Sequence, residues 1–559
     1  MSYSVDEILD LHRKMESERA TFETLWQEVA EYVLPDHAWF TSTNRLQGEK
    51  RTQKQYDSTA TIASERHASA IDSLLVPRAS RWHRLMAGQK ELDERDDVRQ
   101  WFDDVTDILF RERYAPGANF ASQAHDVFLT GGVFGNGGLF IEDRLGGGLR
   151  YRSIPASELY FAVDAYGVPN RAHRKFQMTA GAAYEKWGDR LPSGIVAAGK
   201  QEPLRKFDFV HCIYANQHRD SQRLGEASMP WLSKVIELAD KVELDGGGYQ
   251  SWPLPIYRYA VNPGEWYGRG WAVQALAAIK QLNRIQRSIM RQAEKAVDPP
   301  LLLHDDGMLA FGNAGKGQTP SLAAGSLNYG AVSPEGRALI MPLMSGTDIR
   351  VGKEEVMALQ GVINDAALIS LFQILAENPQ MTATEVRVRL QEKGQLIAPT
   401  VGRAQSEFLG GVVEREIECL VAKGMLPPMP KALMEAQGDY RIEYDGPVSR
   451  LMKLEEVSAA EQWLAGLMQV AQVRPDILDN VDFDELARHH ARVTGVPEKI
   501  IVDKDVVAQV RDQRAQAQQG QQALANAEQG SSAAANIGSA VLSIKKAMGQ
   551  AKSAAKGAA

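Results

Sequence analysis

The strongest constraint on the fold is a pair of helical segments separated by a glycine-rich insertion, between Gly270 and Ala376. On a wheel of 100° per residue, five basic residues of the first segment fall within roughly 80° of one another, opposite an apolar side. Pro299 and Pro300 end this helix, because proline donates no backbone hydrogen bond and disfavours helix in the residue before it. The basic stripe is Lys280, Arg284, Arg287, Arg291 and Lys295, and the opposite side is Ile279, Leu282, Ile285, Ile289 and Ala293.

The second segment, residues 347–376, is apolar around almost its whole circumference. A helix of this kind is covered on several sides in a folded protein. Between the two helices, residues 301–346 are rich in glycine, serine and short apolar runs. The pattern therefore predicts a helical hairpin with an insertion at its tip, which is too thin to fold alone.

Length and composition exclude several classes of protein. A chain of 559 residues is long enough for two to four domains. Its net charge of −8 argues against a static grip on nucleic acid over a wide surface, but not against a channel through which DNA slides. Two widely separated cysteines, Cys212 and Cys419, indicate folding in a reducing cytoplasm. The absence of an 18-residue apolar run predicts a soluble protein without a membrane partner.

The segments before the hairpin predict a mainly helical α+β protein. Ser4 is positioned to cap a helix over 4–34, and Ser58 or Thr59 to cap one that breaks before Pro77. Helices follow at 91–114 and 117–130, and a glycine cluster at 131–138 predicts a turn. From there to about residue 260 the pattern is mixed, with a short helix at 180–188 and strands at 139–143, 149–154, 158–164, 173–178, 207–215 and 253–261.

After the hairpin, residues 381–427 read as one long helix. Thr382 and Glu385 match a capping box, Pro399 predicts a kink, and Gly424 is a suitable C-terminal stop. A short strand at 440–446 precedes three helices, and the final segment is low in complexity and helix-capable but poorly suited to fold alone. The helices are expected at 449–472, 482–494 and 503–520, and the low-complexity tail at 512–559.

No motif in the sequence predicts catalysis, a cofactor or a metal site. The segment GNAGKGQT at 312–319 fails as a P-loop, since Ala310 stands at the first glycine position and Gly317 follows Lys316 where serine or threonine is needed. The glycine cluster lacks the strand and acidic residue of a dinucleotide site. His489 and His490 lack zinc-ligand spacing, so a solvated helix face is the better interpretation. The sequence predicts a protein that is not an enzyme.

Several longer motifs carry a family resemblance that extends from Trp26 to about Arg514. They are WQEVAEYVLP (26–35), YDSTATIASERHASAIDSLLVP (56–77), FGNGGLFIED (134–143), GVPNRAHRKFQMT (167–179), YGRGWAVQALAAIKQLNRIQRSIMRQAEKAVDPP (267–300) and MTATEVRVRLQEKGQLIAP (381–399). In this order and spacing, they resemble the portal (head-to-tail connector) proteins of T7-like short-tailed bacteriophages. GPVSRLMKLEE at 446–456 departs from the family's usual Gly-Pro-Leu-Ala-x-Ala-Gln-Arg.

The resemblance implies a ring of identical subunits, typically twelve, at one vertex of the capsid. Double-stranded DNA would be packaged and ejected through its axial channel, without sequence preference. The portal fold divides each subunit into wing, two-helix stem, clip and crown. Mapped onto this chain, these are a wing over 1–264, stem helices over 265–298 and 347–376, a clip over 299–346, a tunnel loop and kinked wing helix over 377–427, a crown over 428–511 and a tail or barrel extension over 512–559.

The same resemblance implies partners and sites. The clip would dock the terminase large subunit during packaging and the tail adaptor protein afterwards, through a candidate surface of Gly312, Lys316, Gly325 and Tyr329. Major capsid and scaffolding proteins, and internal core proteins, are further implied partners in the virion and in the host cytoplasm during assembly. The candidate tunnel loop is Glu377, Asn378, Pro379, Gln380 and Met381.

Two alternatives remain open for the basic stripe, and three for the protein. The stripe either faces DNA in the channel and contacts phosphates, or has no DNA contact and pairs with acidic residues of a neighbouring subunit or simply faces solvent. A scaffold would be nearly all helical and highly charged, and an adaptor would be much shorter. The third alternative is an enzyme with an unrecognised site.

Overall fold

The computed structural model describes residues 3–41, 48–93, 95–144, 147–220, 222, 225–303, 327, 332, 335–342, 349–369, 398–436, 438–472, 474–494, 500, 502, 506–519 and 545–546. The chain divides into two compact units. The first comprises residues 1–92 and 101–456, and the second comprises 93–100 and 457–559.

The N-terminal helix begins where the sequence predicts. The Ser4 hydroxyl accepts a hydrogen bond from the Glu7 amide (3.3 Å), and the Glu7 carboxylate accepts one from the Ser4 amide (2.8 Å), which completes a capping box. The next cap differs from the prediction. The Ser58 side chain caps nothing, and the Asp57 carboxylate instead accepts from the Thr59 amide (2.7 Å).

The helices before the hairpin's tip include one short helix that the sequence patterns did not predict, at 193–201. The predicted helix 91–114 is split into two. The helices are α1 (Val5–Val33), α2 (Thr59–Leu75), α3 (Lys90–Asp93), α4 (Asp96–Arg113), α5 (Phe120–Phe134), α6 (Ala180–Trp187), α7 (Ser193–Gln201), α8 (Trp271–Gln274) and α9 (Leu276–Val297).

The turn predicted over residues 131–138 is much shorter in the structure. Helix α5 continues through Gly131 and Gly132 to Phe134, and a strand starts at Asn136. Only Gly135 makes the turn, with φ of 95°, a left-handed conformation that glycine adopts without steric cost. The glycines on either side serve close packing, as described below, rather than backbone reversal.

The strands of the first unit form a five-stranded antiparallel meander, β4-β5-β6-β7-β8, and a three-stranded sheet, β3-β2-β9. Before the hairpin's tip, the sequence patterns missed three strands (83–87, 231–237 and 242–249) and predicted a much longer last strand (253–261) than the one observed. The strands are β1 (His83–Ala87), β2 (Asn136–Asp143), β3 (Leu149–Ile154), β4 (Leu159–Val163), β5 (Pro169–Thr179), β6 (Lys206–Ala215), β7 (Trp231–Glu237), β8 (Val242–Tyr249) and β9 (Ile256–Arg258).

Both faces of the meander are covered by helices. Alternate residues of β6 point to opposite sides, so Val210 packs with Ile8 and Leu9 of α1. On the other face, Phe209 packs with Trp187 of α6. Cover on both faces explains why β7 is buried along almost its whole length, its polar side chains included.

The helical hairpin is present. Helix α9 ends at Val297 before the two prolines, and Leu301–Leu303 (β10) pairs antiparallel with Ile340–Pro342 (β11). The return helix α10 (Ile349–Ala366) is followed by Leu368 with a left-handed φ of 59°, a conformation that does not continue an α-helix. Residues 370–376 of the predicted second arm lie outside the described residues.

The sequence predicts that the return helix is covered on several sides. Leu359 and Ile363 are buried, whereas Met357 is 70% exposed and Val362 is 53% exposed. The described residues of the subunit thus cover one face of α10 and leave these two apolar side chains exposed.

The helix predicted over 381–427 is described from residue 398 onward, so Thr382 and Glu385 lie outside the described residues. Residues 398–403 are helical, Ala404–Leu409 form a π-helix, and Gly410–Ala422 form helix α11. A π-helix therefore follows Pro399 by five residues. The turn before Pro399, where a proline kink would arise, lies outside the described residues, so the kink stays a prediction. Gly424 ends the helix as predicted, with φ of 64° and a bond from the Met425 amide to the Leu420 carbonyl (3.0 Å).

The predicted strand at 440–446 occurs as β12 (Tyr440–Tyr444), after the short helix α12 (Lys431–Glu435), and pairs antiparallel with β1. The sequence placed this strand in a crown that starts at 428. The two units divide after Glu456, so the strand belongs to the first unit. The later helices agree with prediction within the described residues: α13 (Pro447–Ala471), α14 (Phe483–Thr494) and α15 (506–519).

Candidate functional site

The base of the hairpin is fixed by close contact between two glycine-containing motifs, FGNGG and YGRGW. A methyl group added to Gly270 would lie 2.2 Å from the Gly132 carbonyl oxygen, and one added to Gly135 would lie 2.2 Å from that of Gly268. These distances leave no room for any side chain. The end of α5 and the start of α8 therefore touch through their backbones, and we call this contact the glycine junction.

Asn136 closes the glycine junction with two hydrogen bonds. Its side-chain oxygen, Oδ1, accepts from the Gly268 backbone amide (2.8 Å), and its side-chain nitrogen, Nδ2, donates to the Gly268 carbonyl (3.2 Å). The side chain is 1% exposed, so these bonds satisfy groups that are removed from water. The resemblance singled out both motifs, but no pattern in either indicates that they meet.

Asn283 holds the half of α9 nearer the hairpin's base against the segment before α2. Its side-chain oxygen accepts from the backbone amides of Tyr56 (2.7 Å) and Asp57 (3.1 Å), and its nitrogen donates to the Ile279 carbonyl (2.9 Å). The Asp57 carboxylate in turn accepts from Gln360 of α10 (3.1 Å). Both arms of the hairpin are thereby tied to one short segment.

Replacing Asn283 by alanine is expected to lower the free energy of unfolding by about 2 kcal/mol, because two buried backbone amides lose their acceptor. Hydrogen exchange should accelerate at Tyr56 and Asp57 in particular. Ser288→Ala is the matched control, since that hydroxyl bonds only to its own helix, at the Arg284 carbonyl (3.0 Å). Equal exchange at Tyr56 in the parent and in Asn283→Ala would contradict this role.

His67 of α2 contacts both arms of the hairpin. Its Nδ1 donates to the Ala367 carbonyl (2.9 Å) at the end of α10, and its ring lies against Trp271 of α8, with centroids 6.3 Å apart. Burial lowers the pKa of His67 to about 4, since the charged ring would lose its hydration. The neutral imidazole is the form that holds the end of the second arm in place.

The unfolded chain binds a proton at His67 at a pH near 6.5, whereas the folded chain resists it down to about pH 4. Stability from the neutral ring is therefore present above pH 6.5 and lost as pH falls through that window. Between pH 6 and 5 the parent should lose about 1 kcal/mol of unfolding free energy relative to His67→Gln, measured by urea titration. From pH 8 to 7 the difference should stay constant. A parallel dependence in both proteins across pH 6 to 5 would refute the assignment.

The structure separates the basic stripe into two parts. Near the base, Lys280 forms an ion pair with Glu28 of α1, and the Arg287 guanidinium lies 5.3 Å from the centroid of the Tyr56 ring. Farther round the exposed face, Arg284, Arg291 and Lys295 are exposed in the single chain. Lys280 thus has a partner within its own subunit, which neither sequence alternative included.

Two sets of predicted site residues cannot be placed. The candidate tunnel loop (Glu377, Asn378, Pro379, Gln380 and Met381) and the candidate clip surface (Gly312, Lys316, Gly325 and Tyr329) lie outside the described residues. They stay predictions.

A buried ionic cluster joins α4, α11, β1 and β3, and no sequence pattern indicated it. The Arg113 Nε donates to Glu416 (2.8 Å), and the Tyr151 hydroxyl donates to the same carboxylate (2.6 Å). A further Arg113 nitrogen lies 2.9 Å from His83 Nε2, which accepts as a neutral ring, because burial and Arg113 hold the pKa of His83 well below its usual range. Burial also raises the pKa of Tyr151. The cluster is a structural lock, since all four groups are enclosed by protein.

Neither a metal site nor a membrane helix emerges from the described part of the chain. No three His, Cys, Asp or Glu side chains in those ranges are grouped to hold a metal ion. In the same ranges, no helix combines the length and apolar character needed to cross a bilayer. Cys212 and Cys419 are free thiols, and both are buried.

Comparison with known proteins assigns the family. Residues 5–502 match the model of the bacteriophage head to tail connecting protein family. The chain is 28% identical over 543 residues to a protein named "Probable portal protein" from Bordetella phage BPP-1, covering 96% of this chain and 95% of that one. It is 24% identical over 532 residues to the portal protein of Salmonella phage epsilon15, covering 92% and 91%.

A solved structure from the virion of a native gene transfer agent particle covers 73% of this chain at 12% identity, with a TM-score of 0.35, which is too low to support a conclusion. The family match covers most of the chain, and both relatives match over nearly their whole length. The portal resemblance predicted from sequence is therefore confirmed, and an adaptor much shorter than these proteins is excluded. The chain belongs to the bacteriophage head to tail connecting protein family.

Proposed function

We propose that copies of this chain, a structural portal protein by its family, assemble into a closed ring at one capsid vertex. Genomic DNA passes through the axial channel of the ring during packaging and ejection. The observation that carries the proposal is the family match over residues 5–502, together with relatives named as portal proteins that align along their whole length.

The hairpin of α9 and α10 is the proposed channel wall, or stem. Its base is anchored by the glycine junction, by Asn283 and by His67, so the hairpin is held at one end by rigid contacts. A wall that DNA slides past needs such anchorage more than it needs tight DNA contacts. The net charge of −8 agrees with weak, sequence-independent contact.

The insertion at the hairpin's tip, residues 299–346, is the proposed clip. Its two ends are brought together by the antiparallel pairing of β10 and β11. We assign to it the docking of the terminase large subunit and later of the tail adaptor protein. Capsid, scaffolding and internal core proteins are proposed partners of the remaining surfaces, and assembly is placed in the host cytoplasm.

Molecular mass tests the proposal directly. Light scattering on the purified 61.6-kDa chain should give a closed species of several hundred kDa, about 740 kDa if twelve copies assemble. A monomer, or a mass that grows without limit as concentration rises, would contradict a closed ring. An enzyme with an unrecognised site would instead turn over a substrate as a monomer.

A further inference from the structure

The two arms of the hairpin turn faces of opposite charge away from their own subunit. On α9, the exposed residue Arg284 lies about 160° around the helix from buried Leu282. On α10, the exposed residue Glu354 lies about 180° from buried Ile363. Exposed Asp365 is on the same side of α10 as Glu354, and exposed Arg291 is on the same side of α9 as Arg284.

The outward face of α10 is also partly apolar. Met357 and Val362, which flank Glu354 and Asp365, are 70% and 53% exposed. Apolar side chains grouped with charges on one helix face are typical of a surface that another protein covers. The outward face of α9 carries the complementary positive charge.

Contacts within the hairpin show which residues stand at the same height. Gln281 donates to Glu355 (3.3 Å), and Asn283 and Gln360 both bind Asp57. Because the arms are antiparallel, Arg284 stands close to the height of Glu354. Lys295 is eleven residues farther along α9, about 16 Å nearer the tip.

We propose that the outward face of α9 docks on the outward face of α10 of the next copy of this chain, with Arg284 opposite Glu354. This inference rests on the proposed ring. Rotation about a ring axis keeps each residue at its height, so a hairpin parallel to the axis brings these two residues level with each other. The contact joins two different surfaces, and such a head-to-tail interface closes into a ring when the rotation permits.

The proposed interface favours contact with a neighbouring subunit, rather than with DNA, for part of the basic stripe. Arg284 belongs to the subunit contact, Lys280 to the ion pair with Glu28, and Arg287 to the stacking on Tyr56. Lys280 and Arg287 then support the fold of the subunit, and Arg284 supports assembly.

Disulfide trapping tests the contact. The full-length double variant Arg284→Cys with Glu354→Cys should give, on oxidation, a ladder of covalent oligomers on a non-reducing gel. The native thiols, Cys212 and Cys419, are buried and should add little background. The control Lys295→Cys with Glu354→Cys uses the same helix faces at the wrong height, and should give little ladder. A ladder of equal strength in both variants, or only monomer in the first, would overturn the proposal.

Charge reversal tests the pairing independently. Arg284→Glu and Glu354→Arg should each raise the protein concentration at half-assembly about tenfold, because like charges then face each other. The two changes combined should return it to within about threefold of the parent. Lys295→Glu combined with Glu354→Arg should not. Far-UV circular dichroism should be unchanged in every variant. A combined variant no better than the weaker single variant would overturn the pairing.

The outcomes separate this inference from the proposed function. If the parent chain forms no ring, the proposed function fails and this contact fails with it. If the parent forms rings but neither trapping nor charge reversal depends on Arg284 and Glu354, only this contact is wrong.

Discussion

Replacing Glu416 by glutamine is expected to lower the free energy of unfolding by about 3–5 kcal/mol, because it leaves the Arg113 charge buried without a counter-ion. Both side chains are 0% exposed, so water cannot compensate. His83 cannot take over, since it already accepts as a neutral ring and carries no negative charge. Urea unfolding monitored by tryptophan fluorescence should report the loss, since Trp82 lies against the Arg113 guanidinium, at 4.5 Å from its ring centroid.

The matched control is Glu142→Gln, which removes an ion pair of the same type at the surface. Glu142 and Arg150 are 4.0 Å apart and 40% and 58% exposed. Such pairs contribute little, so the change should be below about 0.5 kcal/mol. If Glu416→Gln were as mild as Glu142→Gln, the ionic cluster would not be the lock described above.

Replacing Gly135 by alanine is expected to cost about 3–5 kcal/mol, because steric overlap and backbone strain add together. The new methyl group would stand 2.2 Å from the Gly268 carbonyl oxygen and 2.6 Å from the Arg269 amide nitrogen. Backbone atoms cannot rotate away as a side chain could. The φ of 95° is also unfavourable for any residue with a β-carbon. Relief would require α8 to move away from α5.

Gly402→Ala provides the control, since this exposed helical glycine has no heavy atom within 4 Å of the added methyl group. It should be neutral or stabilise by up to about 1 kcal/mol. Gly270→Ala should resemble Gly135→Ala, although its φ of −76° carries no strain and only the overlap remains. Circular dichroism melting curves that coincide for Gly135→Ala and the parent would refute the glycine junction as an anchor.

Sequence patterns predicted the elements whose signals are local. The N-cap at Ser4, the prolines after α9 and the left-handed stop at Gly424 each depend on a few neighbouring residues. Each occurs where it was expected. The basic stripe was found for the same reason, because helical periodicity is a property of one short segment.

Features that depend on distant contacts were not predictable. Arg113 and Glu416 are 303 residues apart, and nothing near either one indicates that the other will neutralise it. The same holds for Asn283 and Tyr56, which are 227 residues apart. The glycines at 131–138 were predicted to form a turn because glycine is usual in turns, whereas most of them pack closely against neighbouring backbone or side-chain atoms.

The burial of α10 shows a different limit of prediction from sequence. Its composition predicts burial on several sides, and the described residues of the subunit leave Met357 and Val362 exposed. The predicted burial and the observed exposure agree if another copy of the chain covers the exposed face. The apolar composition of α10 would then reflect contacts in the assembly that one subunit alone does not make. Exposed Met357 and Val362 are the residues on which this interpretation depends.

Electron microscopy of the purified full-length protein tests the central claim most directly. A single-particle reconstruction at a resolution that separates helices should show a closed ring in which α9 and α10 of every copy surround one central hole wide enough for duplex DNA. A reconstruction without a central hole, or with these hairpins at the outer edge of the ring, would contradict the account.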